Sequence, residues 1–89
     1  MKVSVITVSF NAAKSIAATL KSVLEQTYKD IEYIVVDGDS SDGSKKIIKQ
    51  YEANISKIII EPDNGVYDAM NKGLSVASGD IICFLNAND

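Results

Sequence analysis

Histidine and arginine are both absent from these 89 residues, and there is one cysteine, Cys83, and one proline, Pro62. Without histidine there is no imidazole for acid–base chemistry near neutral pH and no imidazole metal ligand. The nine basic residues are all lysine, form no long run, and are outnumbered by twelve Asp and Glu, leaving a net charge of −3. Neutralising nucleic-acid phosphates needs clustered cations, so no nucleic-acid partner is expected. A single cysteine excludes an internal disulfide and fits a reducing compartment. Lying inside an apolar run, Cys83 reads as a small buried hydrophobe rather than a reactive thiol. No apolar stretch approaches the roughly 18–20 residues of a membrane span. Met1-Lys2 leads straight into a strand pattern, with no signal-peptide cleavage site.

What is present describes one small globular domain with 46% hydrophobic content. Residues 2–8 are rich in Val, Ile and Thr and predict a strand. Helical spacing of Ile16, Leu20, Val23 and Leu24 predicts a helix over 12–26, with Asn11 as its N-cap. A second strand is expected over 31–36 and a helix over 44–52, with Ile47, Ile48 and Tyr51 on its apolar side. A third strand over 57–61 ends in Pro62-Asp63-Asn64-Gly65, and a helix over 66–77 should bury Ala69, Met70, Leu74 and Ala77. Gly73 inside that helix costs about 1 kcal/mol relative to Ala, which points to close packing or a break there. The fourth strand, 81–85, reads as buried and opens into Asn86-Ala87-Asn88-Asp89.

The order β-α-β-α-β-α-β predicts an α/β fold of three layers, α/β/α, with a mainly parallel sheet covered on both faces. In such sheets ligands bind beyond the strand C-termini. Four segments meet there: 8–11, 37–42, 62–68 and 86–89. The first contains neither GxGxxG nor GxxxxGK[ST], which weighs against dinucleotide-binding and P-loop domains. Phe10 offers a flat apolar surface for a base, or else packs into the core while Asn11 merely caps a helix. In Asp37-Gly38-Asp39-Ser40-Ser41-Asp42-Gly43, ordinary capping explains Ser40 to Gly43 well and Asp37 less well. A carboxylate directly after a buried strand can accept from a base N–H or from ribose hydroxyls. Asp68, Asn71 and Lys72 share a helix face, where Asp68 and Lys72 can simply pair. The terminal Asn and Asp residues offer oxygen ligands of the kind hard divalent cations take.

Together and in this order these elements resemble the N-terminal half of a family 2 glycosyltransferase of the GT-A fold, itself Rossmann-like. Residues 3–11, Val-Ser-Val-Ile-Thr-Val-Ser-Phe-Asn, are similar to that family's opening strand, and Ser22-Val23-Leu24-Glu25-Gln26-Thr27-Tyr28 to its next helix end. Val35-Val36-Asp37-Gly38-Asp39-Ser40-Ser41-Asp42-Gly43-Ser44 resembles the "VVDGxSxDGT" turn. Residues 63–73, containing Tyr67-Asp68-Ala69-Met70-Asn71-Lys72-Gly73, resemble "D-x-G-[IV]-YDAMNKG", and the tail resembles "LNADD", a version of the DxD metal motif.

The resemblance implies a nucleotide-sugar donor held by Val8, Ser9, Phe10, Asn11, Asp37, Asp39, Asp68, Asn71, Lys72, Asn86 and Asn88. Within that set Phe10 lies beside the base, Asp37 meets the uridine portion, and Asp89 holds Mg²⁺ or Mn²⁺ against the diphosphate. Two departures stand out: Asp37-Gly38 where many relatives have two aspartates, and Asn88 where Asp is common. The implied reaction is inverting transfer of a sugar, from a UDP-sugar, to an acceptor hydroxyl in cell-surface polysaccharide synthesis. Residues 1–89 would form the nucleotide-sugar-binding part, with the catalytic base and the saccharide or lipid-linked acceptor site outside it, so the piece alone is expected to be inactive. A cytoplasmic location at the inner face of the membrane is implied for the full-length protein. An apolar surface left by the missing half suggests a homodimer. Two other readings stay open, a non-catalytic interaction module and a sugar-nucleotide nucleotidyltransferase. The latter wants a Gly-rich, Arg-containing loop where Ser9-Phe10-Asn11-Ala12-Ala13 stands.

Overall fold

Four strands form one sheet in the computed structural model, which describes residues 1–26 and 30–88. The order along the chain is β1 (Val3–Ser9), α1 (Ile16–Leu24), β2 (Ile31–Asp37), α2 (Ser44–Gln50), a 3-10 turn (Glu52–Asn54), β3 (Lys57–Ile60), α3 (Val66–Val76) and β4 (Ile81–Asn86). Every pairing is parallel and the spatial order is β3-β2-β1-β4, with Val3 opposite both Ile31 and Ile81. The alternation expected of the element order is therefore observed, and the sheet is wholly parallel.

The period-2 alternation of side chains sorts the central strands onto two faces. Val5, Tyr33 and Val35 pack with Ile16, Leu20 and Val23 of α1 and Ile48 of α2. Ile6, Val8, Ile34 and Val36 pack beneath Ala69 of α3. Ile6, Ile16, Leu20, Ile34 and Ile48 are completely enclosed, and each such side chain contributes about 1.5–3 kcal/mol by leaving water. Gly73 resolves as a close approach. A Cβ there would lie 2.5 Å from Ile6 Cγ2, so its lack of a side chain lets α3 sit directly on the sheet.

Three expectations are corrected. The fourth strand is an edge strand and is not buried: Ile81, Phe84 and Leu85 are exposed, as is Cys83. Its pairing with β1 satisfies one side only, and α3 packs over β1 and β2 instead. Leu74 is exposed too, because Ala69 and Gly73 form the buried contact of α3. Finally, Asn11 does not cap α1. Residues 12–15 form a turn in which Ser15 N–H and Ile16 N–H both donate to the Ala12 carbonyl, and Ser15 stands at the helix start. Asn11 itself adopts φ 48°. The earliest N–H groups are taken by the second loop: Ala12 donates to Ser44 Oγ at 3.0 Å and Ala13 to Asp42 Oδ2 at 3.0 Å.

Candidate functional site

A cavity of about 510 Å³ opens beyond the C-terminal ends of the strands, a volume in the range of small-ligand sites. It is lined by Val8, Ser9 and Phe10 after β1, Gly38 after β2, Pro62, Asp63 and Gly65 after β3, Val66 and Ala69 of α3, and Asn86 and Asn88 at the end of β4. The parallel sheet brings these together because each strand delivers its polar exit to the same side.

Phe10 is the large apolar group on this wall and is 53% exposed. It is held by an unusual clip: its N–H donates to Asn88 Oδ1 at 3.1 Å and its carbonyl accepts from Asn88 Nδ2 at 2.6 Å. The carboxamide thus replaces a ladder pair beyond the end of β1. Asn86 Oδ1 in turn accepts from the Asn88 N–H at 2.9 Å, and the Ala87 carbonyl accepts from Ser15 Oγ. Asn88→Ala removes both bonds to Phe10. At roughly 1 kcal/mol for each exposed bond, stability should fall modestly while nucleotide affinity falls about tenfold, as the aromatic platform loses its fixed position. Parallel urea melts and nucleotide titrations check this, and unchanged affinity counts against the clip.

Of the residues expected at the site, Val8, Ser9, Phe10, Asn86 and Asn88 line the cavity. The others do different work. Asp37 is fully enclosed, and both its oxygens serve the following turn: Oδ2 accepts from Ser40 N–H at 2.8 Å and Oδ1 from Ser40 Oγ at 2.7 Å. Asn11 N–H donates to that same Ser40 Oγ, and Asn11 Oδ1 accepts from Ser41 N–H, so the loops after β1 and β2 are knitted together. Asp39 pairs with Lys45 at 2.7 Å in an exposed position. Asp68 Oδ2 accepts from Asn64 N–H at the start of α3, while Lys72 reaches Glu61 at 3.1 Å and the Pro62 carbonyl at 2.7 Å. Asn71 is exposed on the same helix and is not among the lining residues. Asp89 lies outside the described residues, as do Thr27 and Tyr28 of the second helix motif.

Sequence reasoning put segments 37–42 and 62–68 on the ligand side but did not single out Gly38, Pro62, Asp63, Gly65, Val66 or Ala69 as site residues. The signal for Asp63 was its place directly after the third strand and its proline, on the shared ligand side. Ser9 carries one further property: it is 3% exposed, and its Oγ has no hydrogen-bond partner among the described residues. Orphaned buried hydroxyls are uncommon in folded proteins. Ser9 is among the lining residues, but strand alternation puts its side chain on the Val5 face of β1, opposite Val8.

The Glycosyl transferase family 2 model matches residues 4–89. Bacillus subtilis (strain 168) TuaG, provisionally named a teichuronic acid biosynthesis glycosyltransferase, is 41% identical over 90 residues, which cover 98% of this chain and 36% of TuaG. Among solved structures, S. aureus TarS 1-349 in complex with UDP-GlcNAc superposes with TM-score 0.89 at 27% identity, over 99% of this chain and 27% of that one. The mannosyltransferase PcManGT from Pyrobaculum calidifontis, in complex with GDP-Man and Mn²⁺, gives TM-score 0.89 at 28% identity, over 98% of this chain and 27% of that one. The chain spans about a third of the length of the curated relatives it matches.

Proposed function

The chain belongs to glycosyl transferase family 2, and from that premise we propose that its cavity holds the nucleoside diphosphate of a sugar donor, a UDP-sugar in the first instance. The observation that carries this is the wall itself, where an exposed aromatic held by Asn88 and the Asp63 carboxylate both approach the bare backbone at Gly38. A base stacked on Phe10 gains contact with a fixed apolar face. TarS, whose structure contains UDP-GlcNAc, supports the donor class.

The whole protein, on this reading, transfers the sugar to an acceptor hydroxyl with inversion. The acceptor oxygen bonds to the anomeric carbon as the bond to the diphosphate oxygen breaks, and a carboxylate takes the acceptor proton. That base and the acceptor site are assigned to the part of the protein outside these 89 residues. TuaG supports an acceptor in cell-surface polysaccharide synthesis, and on that reading the enzyme works in the cytoplasm against the inner membrane face. Among the described residues no helix is long and apolar enough to cross a membrane.

The donor atoms fit a hard divalent cation in kind. Asn86, whose Oδ1 also accepts from Asn88 N–H, stands at the cavity wall with a carboxamide, and Asp89 is assigned as the carboxylate. Among the described residues no group of three His, Cys, Asp or Glu forms a protein cage. Mg²⁺ held through one or two carboxylates and substrate phosphates needs none. When bound, such an ion offsets the negative charge of the leaving diphosphate. PcManGT, seen with GDP-Man and Mn²⁺, supports the assignment.

Titrating UDP into the purified chain with and without Mn²⁺ tests the reading. Saturable binding that tightens with the ion is expected, with no sugar transfer by the 89 residues alone. A flat response in both arms overturns it and favours a non-catalytic module.

A further inference from the structure

We propose that Asp63 reads the base of the donor and restricts it to bases that present a ring N–H beside a carbonyl, uracil or guanine, against cytosine and adenine. This rests on the nucleotide reading above and deepens it. The observation behind it is the space at Gly38. A Cβ built there would fall 2.7 Å from Asp63 Oδ2, 3.2 Å from its Cγ and 3.1 Å from Phe10 Cδ1. With no side chain at 38, the carboxylate after β3 closes against the backbone after β2, where the Phe10 ring also approaches position 38. Any other residue at 38 would push the two apart.

Asp63 is held there with one oxygen to spare. Its Oδ1 accepts from Gly65 N–H at 3.0 Å. Its Oδ2 has no hydrogen bond among the described residues, and Asp63 is the one carboxylate among the described residues that line the cavity. Asp37, the carboxylate that the sequence pointed to for the uridine, is spent on Ser40 and enclosed.

An ionised carboxylate only accepts. With a base stacked on Phe10, the N3–H of uracil or N1–H of guanine donates to Asp63 Oδ2. Cytosine N3 and adenine N1 present a lone pair where the carboxylate needs a proton, which leaves acceptor facing acceptor. A hydrogen bond to a charged group is worth about ten- to a hundredfold in affinity.

The test measures UDP, GDP, CDP and ADP binding to the purified chain at fixed Mn²⁺, by ligand-observed NMR, for the wild type, Asp63→Asn and Gly38→Ala. The carboxamide introduced by Asp63→Asn keeps an acceptor for Gly65 N–H. Gly38→Ala displaces Asp63 without changing any charge, so the second variant covers a folding failure in the first. The expected result is UDP or GDP at least about tenfold tighter than CDP and ADP in the wild type. In Gly38→Ala the four nucleotides should come within about threefold of one another, and in Asp63→Asn the preference should fall to that level or reverse, because an amide N–H then faces the base. Wild-type discrimination that survives in both variants, or equal wild-type binding of all four, overturns the role of Asp63 and leaves the nucleotide site standing. No binding of any nucleotide by the folded wild type removes the nucleotide site and this inference with it.

Discussion

Glu32→Ala is expected to remove about 3 kcal/mol of stability, a large share of the roughly 4–13 kcal/mol available to a chain of this size. Glu32 lies in β2 on the α3 side of the sheet, at the end away from the cavity, and is almost fully buried. Its Oε1 accepts from Ser78 N–H at 2.9 Å and Ser4 Oγ at 2.8 Å, and its Oε2 from Ser78 Oγ at 3.1 Å. Lys57 lies 3.3 Å away and Lys2 3.9 Å. One carboxylate therefore ties β1, β2, β3 and the lead into β4. Alanine leaves these donors facing a gap, and an unmade buried bond costs more than a made one contributes.

The same residue sets a pH dependence. Its pKa is lowered from 4.5 to about 2, first by the Ser78 N–H, against burial, and then by the Ser4 and Ser78 hydroxyls and Lys57. A depressed folded-state pKa means that the stabilisation is complete above the unfolded-state value and is lost as pH falls through the folded one. Between pH 4.5 and 2 the folded chain should lose on the order of 3 kcal/mol through this group. Urea melts across that window should show the loss in the wild type and a flatter dependence in Glu32→Gln. Identical slopes in the two proteins would remove Glu32 from the account.

Gly79→Ala is the second large effect. A Cβ at 79 would meet Ser4 Oγ at 2.5 Å, Ser4 N at 2.7 Å and the Lys2 carbonyl at 3.0 Å. Two of these are backbone atoms at the start of the sheet, so no rotamer relieves the contact and β4 must move. The displaced segment includes Asp80 N–H and Ile81 N–H, both of which donate to the Lys2 carbonyl and start the β1–β4 ladder. Overpacking of this kind costs about 1–3 kcal/mol. Because β4 ends at Asn86, the shift should also loosen the Asn88 clip on Phe10 and weaken nucleotide binding from the far end of the sheet. Urea midpoints and UDP titrations measure both consequences, and stability within about 0.5 kcal/mol of wild type would contradict the steric reading. Gly79 N–H donates to Ser4 Oγ at 2.8 Å, so Glu32→Ala and Gly79→Ala act through one hydroxyl. Their combination should be less than additive.

Much of this was legible along the chain. The alternation of Val5, Tyr33 and Val35 with Ile6, Ile34 and Val36 specifies two buried faces, since side chains of a strand alternate by construction. Turn residues after each strand place four polar exits on one side of a parallel sheet, and motif order points to the family that the comparisons establish. These are local properties, carried by neighbours in sequence.

Other features were decided by partners far away in the chain. Hydrophobicity says that Cys83, Phe84 and Leu85 favour burial, but only the sheet order shows that β4 is an edge strand with exposed side chains. Asp37 and Asp63 are alike as residues after strands. Ser40 consumes both oxygens of the first, while the empty space at Gly38 admits the second to the cavity. Glu32, a charge within a buried strand, makes sense only once Ser4, Lys57 and Ser78 converge on it. Local pattern dictates which residues seek burial and where the chain turns. Which polar atoms remain free for a ligand depends on hydrogen bonds made across the fold, and those exist only after the strands have paired.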